Sequence, residues 1–104
     1  DEHIDGLMAD YPFYAKTVIP AGTYDKQDAD ITTVAIRAML VARADVAEDV
    51  VYELMTEMFG NLDALATGHA KFANLSVETA QDGTSVPYHA GAVKFFADNG
   101  VEVK

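Results

Sequence analysis

The stretch that decides the fold covers residues 31–65 and reads ITTVAIRAMLVARADVAEDVVYELMTEMFGNLDAL. Its first part, residues 31–43, is rich in β-branched residues and largely apolar at both alternating sets of positions. This pattern predicts a strand buried on both sides, although the length also permits a helix. The part after Asp45 has apolar residues at helical spacing and predicts a long amphipathic helix. A strand followed by such a helix favours α/β packing.

The predicted helix has sequence signals at both ends. Asp45 and Glu48 have the spacing of a capping box at its start. Gly68 is the predicted end, because a left-handed cap costs glycine little. One stripe of the helix carries the apolar residues Val51, Leu54, Met55, Met58, Leu62 and Leu65. The prediction is therefore a single helix that lies on a core along this stripe.

Shorter elements are predicted on both sides of this stretch. A helix near the start should stop at Tyr11, because Pro12 disfavours helical geometry at the residue before it. The segment YAKTVIP predicts a short strand. Further on, Ser76 can cap a short helix through VETAQ that stops at Asp82 and Gly83, and HAGAVKFFADNG predicts a last helix closed by Gly100. The C-terminal half should thus be helical.

The predicted strands are too few for an ordinary sheet. Two or three can be counted, whereas the mean sheet has roughly five to six. The chain therefore either pairs with another copy or lacks strands against which it evolved to pack. The sequence predicts part of an α/β lobe rather than a whole one, in which few strands precede several helices.

Composition excludes several classes of function. A chain of 104 residues that is 50% hydrophobic suits one globular domain, and its formal net charge of −10 repels nucleic acids and anionic membranes. The chain has no cysteine, which excludes disulfides and thiolate chemistry. No apolar run approaches the roughly 20 residues of a membrane helix.

The acidic cluster after the first predicted strand is a weak candidate for a metal site. Asp25, Asp28 and Asp30 supply hard oxygen ligands, but their spacing fails the pattern of a calcium-binding loop. A solvated acidic loop is the preferred interpretation. The three histidines, His3, His69 and His89, are far apart and form no zinc-binding pair. We predict no metal site, with structural roles for the latter two histidines at helix ends.

Catalytic patterns are also missing from the sequence. Ser76 and Ser85 lie in cap and turn contexts without a nucleophile elbow. The segment PAGTY has one glycine and no nearby lysine, so it does not match a phosphate-binding loop. The residues alone predict no enzyme, no catalytic residue and no cofactor.

Three segments, in their order along the chain, resemble one family. They are YPFYAKTVIPAGTYDKQDAD (residues 11–30), TTVAIRAMLVARADVAEDVVYELMTEMFGNLDAL (residues 32–65) and VPYHAGAVKFFADNG (residues 86–100). They are similar to the C-terminal portion of the TAXI family, the TRAP-transporter-associated extracytoplasmic immunogenic proteins. Ala90 departs from the pattern, because members more usually have proline after the histidine. Proline there would only preorganise the first helical turn, so the departure is structural.

The resemblance implies a two-lobed periplasmic-binding-protein fold of type II and a periplasmic, non-enzymatic receptor. Such receptors close over a small anionic solute of the glutamate or 2-oxoglutarate class and deliver it to TRAP transporter membrane subunits. Residues 1–104 would be one C-terminal fragment of this receptor. Because a binding cleft needs both walls, we expect the fragment not to bind solute alone. A homo-oligomer could replace its absent strands.

The predicted ligand-binding residues lie in the segment IPAGTY. An anionic solute needs hydrogen-bond donors in so acidic a chain, and the candidates are Tyr24 first, then Thr23, the Gly22 backbone and Arg37. Tyr24 follows a tight turn near a strand end, where its hydroxyl can face a crevice, although packing is its competing role. Arg37 is as well suited to pairing with a carboxylate. The alternative function is a freestanding α/β protein-interaction module without a small-molecule ligand.

Overall fold

The computed structural model describes all 104 residues and has a mixed α/β fold. Four α-helices, one 3₁₀ helix and two strands follow one another along the chain. Their bounds are α1 Glu2–Asp10, β1 Tyr14–Ile19, β2 Ile31–Ile36, α2 Glu48–Gly60, α3 Leu62–Gly68, the 3₁₀ helix Ala70–Asn74 and α4 Ala90–Asp98. The chain forms two compact units. Unit 1 comprises Asp1–Met39 with Asp82–Ser85, and unit 2 comprises Leu40–Gln81 with Val86–Lys104.

Unit 1 is built on an antiparallel hairpin of β1 and β2. Tyr14 lies opposite Ile36 at one end, and Ile19 lies opposite Ile31 beside the connecting loop. Because side chains alternate along a strand, the hairpin has two distinct faces. The Tyr14 face carries Tyr14, Lys16, Val18, Thr32, Val34 and Ile36. The Ala15 face carries Ala15, Thr17, Ile19, Ile31, Thr33 and Ala35.

Helix α1 is joined to the Tyr14 face by an ion pair. The Lys16 ammonium donates to the Asp5 carboxylate at 2.6 Å, and this hydrogen bond holds the pKa of Asp5 below its ordinary value. The helix starts at a side-chain cap, since the Asp1 carboxylate accepts from the His3 backbone. It ends before Tyr11, as Pro12 predicts. This element and β1 both match the sequence expectation.

The Ala15 face is in contact with the short segment around Gly83. Ala15 is 6% exposed and is the only buried residue of unit 1. Gly83 has a φ of 75°, and a Cβ added to it would lie 3.0 Å from the Arg37 Cγ and 3.4 Å from the Ala15 Cβ. Glycine therefore permits both the left-handed backbone and the close approach.

Unit 2 has its core where α2 and α4 cross. Val51, Phe95 and Phe96 are buried there, and the Phe59 ring stacks on the Phe95 ring with centroids 5.2 Å apart. The crossing is tight at Gly91, where an added Cβ would lie 2.4 Å from the Glu48 carbonyl oxygen. The absence of a side chain at this position thus lets the two backbones meet.

Side-chain hydrogen bonds hold the start of α4 and the C-terminal segment. His89 is the N-cap of α4: its Nδ1 accepts from the Gly91 backbone at 3.1 Å, while its Nε2 lies 2.8 Å from the Val46 carbonyl oxygen. The predicted structural role of His89 is therefore confirmed. Gln81, which is buried, donates to the Glu102 carbonyl and accepts from the Lys104 backbone. These bonds attach the C-terminal segment to unit 2.

The prediction of a strand buried on both sides is wrong in extent and in burial. Strand β2 ends at Ile36, and residues 37–43 have no regular structure. Ile31 and Ile36 are 49% and 68% exposed. The physical reason is that burial on both sides requires elements packed on both faces of the strand, whereas the main contacts of β2 are with β1 beside it in the sheet.

The predicted capping box does not form. Helix α2 starts at Glu48 with Ala47 as its N-cap and without a side-chain cap bond. The Asp45 carboxylate instead accepts from the guanidinium of Arg43, which is nearer in sequence. A short-range ion pair has thus replaced the cap.

The predicted long helix is interrupted at Asn61, and its C-terminal cap differs from the predicted left-handed glycine. Asn61 separates α2 from α3, because its side-chain amide donates to the Glu57 carbonyl and so competes with the helical backbone. Gly68 ends α3, as predicted, but without a left-handed backbone, and His69 is the C-cap. The His69 Nδ1 also accepts from the Lys71 backbone, which gives this histidine its predicted structural role.

The region after Ser76 forms turns instead of the predicted helix. Ser76 and Thr79 each accept from the other's backbone amide, which is the bonding of a cap without a helix to follow it. A backbone hydrogen bond and the Ser76 hydroxyl hold the pKa of Glu78 below its ordinary value. The last helix, α4, matches the prediction and is followed by Gly100 with a φ of 75°.

Candidate functional site

The candidate site is the hairpin loop, residues 20–30, which carries the two predicted ligand-binding residues. Gly22 has a φ of 79° and makes the turn that the sequence predicts. Lys26 also has a left-handed backbone, with a φ of 63°, which is uncommon for a residue with a side chain. Such a conformation persists only where surrounding bonds hold it.

Gln27 supplies most of those bonds. Its side-chain amide donates to the carbonyls of Ile19, Pro20 and Ala29 at 3.0 to 3.1 Å, and its Oε1 accepts from the Tyr24 backbone. Its backbone carbonyl accepts from Gly22 at 2.8 Å. One side chain therefore connects the two sides of the loop and fixes the backbone on which Tyr24 stands. Sequence reasoning missed Gln27, since an isolated glutamine carries no motif signal.

At least one acidic residue of the loop has a structural role. The Asp30 carboxylate accepts from the Ala21 backbone at 2.8 Å and so closes the base of the loop. No group of three or more histidine, aspartate or glutamate side chains is arranged to hold a metal ion. At least one of the three aspartates therefore serves the loop itself, through a bond that the sequence interpretation did not include.

Thr23 is poorly suited to bind an anion in this conformation. Its hydroxyl donates its proton to the Pro20 carbonyl at 2.6 Å. What remains on the oxygen is acceptor capacity, whereas an anionic solute requires donors. The Gly22 amide is occupied in the same way by the Gln27 carbonyl. Two of the four predicted donors are thus used to build the loop.

Tyr24 remains available. It is 65% exposed, and its hydroxyl forms no hydrogen bond within the chain. Since its backbone amide is bound to Gln27, the residue is held at its base while its phenol is free to donate. The loop thus offers one directed donor on an ordered backbone.

Arg37 is not brought to the loop. It follows Ile36, at the end of the hairpin remote from the Ile19–Ile31 pair. Six residues of strand separate the two ends, or roughly 20 Å at about 3.3 Å per residue. Arg37 forms no ion pair, and its aliphatic carbons lie beside Gly83. One small solute cannot contact both the Tyr24 hydroxyl and Arg37.

A second concave feature lies in unit 2 and was not predicted. It is an open groove lined by Val93, Ala97, Gly100, Val101, Glu102 and Val103. Its lining is mostly apolar, and its single ionisable side chain, that of Glu102, is acidic. No basic side chain lines this groove, so the hairpin loop is the better candidate for an anionic solute.

Comparison with known families decides the broader class. A model of the NMT1-like family matches residues 1–100. The chain belongs to the NMT1-like family. This family is of the periplasmic solute-binding type, is generally non-enzymatic and is typically extracytoplasmic. None of the helices has the length and hydrophobicity required to cross a bilayer.

Membership of the NMT1-like family indicates which kinds of partner to expect. In a solute-binding family, small solutes and transporter subunits are the partners to be expected in general. The Gln27 bonds hold the loop, and the exposed Tyr24 hydroxyl can donate one hydrogen bond. The other contacts that a small molecule requires would have to come from outside this loop.

Proposed function

We propose that residues 1–104 are the C-terminal part of an extracytoplasmic TAXI-type receptor that captures a small anionic solute for a TRAP transporter. The single observation that carries the proposal is the match of the NMT1-like family over residues 1–100. The finer assignment is supported by the segments that resemble the TAXI family. IPAGTY forms the ordered loop after β1, and VPYHAGA contains the N-cap of α4.

The proposed solute belongs to the glutamate or 2-oxoglutarate class. With a formal net charge of −10, the chain repels an anion over most of its surface, so binding depends on local donors. Tyr24 supplies one such donor, and Thr23 contributes an accepting hydroxyl to the same loop. A single exposed donor is too little for measurable affinity. The chain by itself is therefore expected not to bind solute.

The proposed mechanism is closure of two walls around the solute. A solute that binds the closed state better than the open state shifts the population towards closure, by an amount set by its differential affinity. The closed receptor then presents a surface that the transporter recognises. In this scheme the chain performs no covalent step and needs no cofactor, and the ordered loop contributes an already oriented hydroxyl.

The test is the Tyr24→Phe substitution in the intact receptor. Loss of one neutral hydrogen bond should weaken solute binding by about 0.5 to 1.5 kcal/mol, measured by isothermal titration with glutamate and 2-oxoglutarate. Tyr11→Phe is the matched control, because Tyr11 is an exposed tyrosine of unit 1 outside the loop. Unchanged affinity in Tyr24→Phe would assign that residue to packing. Absence of binding by any dicarboxylate or amino acid would reject the solute class.

A second candidate function is a protein-interaction module, and the exposed area favours it. Large apolar side chains are exposed in both units, among them Ile36 at 68% in unit 1 and Leu40 at 71% in unit 2. Contiguous exposed apolar patches often mark protein interaction sites. In this alternative, the chain binds a partner or a second copy without a small-molecule ligand.

A further inference from the structure

The imidazole ring of His89 is bound at both of its nitrogens. Its Nδ1 accepts from the Gly91 backbone amide at 3.1 Å, and its Nε2 lies 2.8 Å from the Val46 carbonyl oxygen. An amide N–H can only donate and a carbonyl oxygen can only accept, so Nδ1 has no hydrogen and Nε2 carries one. The two bonds therefore require one tautomer of the neutral ring.

A second proton on this ring is incompatible with the arrangement. It would bind at Nδ1, so that the N–H groups of His89 and Gly91 would point at each other. The side-chain cap of α4 would then be lost. The positive charge would also lie at the N-terminus of the helix, where the helix dipole favours negative charge. Both effects act against the protonated ring.

His89 lies where two helices of unit 2 meet. Gly91, which is bound to its Nδ1, is buried, and a Cβ added there would lie 2.4 Å from the Glu48 carbonyl oxygen. Val46, which is bound to its Nε2, lies two residues before the start of α2. One ring thus connects the start of α2 with the start of α4, beside the crossing that forms the core. Loss of its bonds affects the packing of both helices.

No ion pair in the structure stabilises a charge on His89. Asp45, adjacent to Val46, is bound to the Arg43 guanidinium, and Asp98 accepts from the Tyr52 hydroxyl. The ionisable side chains of α2, of α4 and of the segments that precede them are Arg43, Asp45, Glu48, Asp49, Tyr52, Glu53, Glu57, Tyr88, Lys94 and Asp98. None of these carboxylates lies within 4 Å of the His89 ring nitrogens.

We propose that His89 is a proton-controlled cap, whose protonation releases the start of α4 from the segment before α2 and loosens unit 2 in mild acid. Histidine is the side chain that ordinarily changes its charge between about pH 8 and pH 5. Because the unfolded chain has neither bond, a proton on this ring costs the folded chain more than the unfolded one. The stability that the two bonds contribute is therefore present near pH 8 and is lost as the pH falls.

The central test is His89→Asn. The asparagine side-chain oxygen can accept from the Gly91 amide, but the amide group binds no proton in this range. Thermal unfolding is followed by far-ultraviolet circular dichroism at pH 8 and at pH 5. The melting temperature of the wild type should fall by roughly 4 to 8 °C between the two values, as expected for the loss of one cap. That of His89→Asn should stay nearly constant.

The matched control is His69→Asn. The His69 Nδ1 also accepts from a backbone amide, that of Lys71, at 3.2 Å. The residue is exposed, however, and its Nε2 forms no hydrogen bond within the chain, so a protonated ring can turn towards water. His69→Asn should keep the pH dependence of the wild type. A pH dependence that His69→Asn removes, and that His89→Asn leaves unchanged, would overturn the proposal.

Nuclear magnetic resonance of the wild type tests the cap without any substitution. At pH 8, the ring nitrogen shifts of His89 should show the Nε2–H tautomer, and the Gly91 amide should be protected from hydrogen exchange. At pH 5, its protection factor should fall at least about tenfold, and that of the Val101 amide, bound to the Phe96 carbonyl, should fall less. Unchanged protection of Gly91 would reject the proposal. No solute enters these measurements, so they test the cap independently of the proposed receptor function.

Discussion

The two units of the molecule bury their side chains to very different extents. Unit 2 encloses Val51, Phe95 and Phe96 between two helices, and its buried Gln81 has hydrogen-bond partners on both ends of its amide. Unit 1 has a regular hairpin and a helix, yet Ala15 is its single buried residue. Regular secondary structure is therefore similar in the two units, whereas the burial of apolar surface is not.

The two units therefore differ in the source of their stability. Burial of a large apolar side chain contributes about 1.5 to 3 kcal/mol, so the two phenylalanines supply unit 2 with a hydrophobic core. Unit 1 has mainly local bonds, above all those of Gln27 and Asp30, whereas its Lys16–Asp5 pair is exposed and contributes little. We infer that perturbing a close contact will harm unit 2 much more than unit 1.

The largest effect is expected from Gly91→Ala in unit 2. The new Cβ would lie 2.4 Å from the Glu48 carbonyl oxygen and 2.9 Å from the Tyr52 nitrogen, and backbone atoms cannot yield as a flexible side chain can. Overpacking costs about 1 to 3 kcal/mol, and this site should be near the upper end. Urea unfolding followed by circular dichroism measures the loss. Gly60→Ala on α2 is the control, because no atom lies within 4 Å of its added Cβ. Equal stability of the two variants would contradict the tight helix crossing.

A smaller effect is expected from Gly83→Ala in unit 1. Its left-handed backbone costs an L-residue about 1 to 2 kcal/mol, while the nearest atom, the Arg37 Cγ, belongs to a flexible side chain. Gly22→Ala has nearly the same φ but open space around it, so it measures the backbone cost alone. The two variants should differ by only a few tenths of a kcal/mol in thermal unfolding. A much larger loss in Gly83→Ala would reveal tight packing in unit 1.

The smallest effect is expected from Asp5→Asn. Because the ion pair with Lys16 lowers the pKa of Asp5, the pair stabilises the fold above the ordinary pKa of the carboxyl. This stability is lost as the pH falls through the lowered, folded-state pKa. The melting temperatures of wild type and variant should thus differ slightly near neutral pH and converge in acid. Asp10→Asn, also on α1, is the charge-matched control. A difference that grows on acidification would contradict the sign.

Local signals in the sequence were sufficient for several elements. Pro12 marks the end of α1, Gly22 makes the predicted turn, and His89 caps α4 as its position suggests. Each of these depends on backbone restrictions or on bonds between near neighbours. Such effects are encoded within a few residues, which is why the sequence alone predicts them.

The wrong predictions have a different cause. They depended on competition between alternative hydrogen bonds, or on neighbouring elements that the sequence pattern assumed. Asp45 had a cap position available but binds Arg43, and the Asn61 side chain takes a carbonyl that a continuous helix would use. The apolar character of β2 predicted burial, but burial requires a covering layer. For the candidate site, residue type identified Thr23 and Tyr24 as donors. In the folded chain, however, the Thr23 hydroxyl donates its proton to the Pro20 carbonyl.

The Gln27 network has a consequence for protein engineering. All partners of its side chain lie within eight residues along the chain, and the Asp30 bond spans nine. The side-chain hydrogen bonds that shape the loop therefore all lie between Ile19 and Asp30. We expect residues 20–30 to keep this conformation when they are grafted onto another antiparallel hairpin, with position 24 as one exposed site at which to vary the presented side chain.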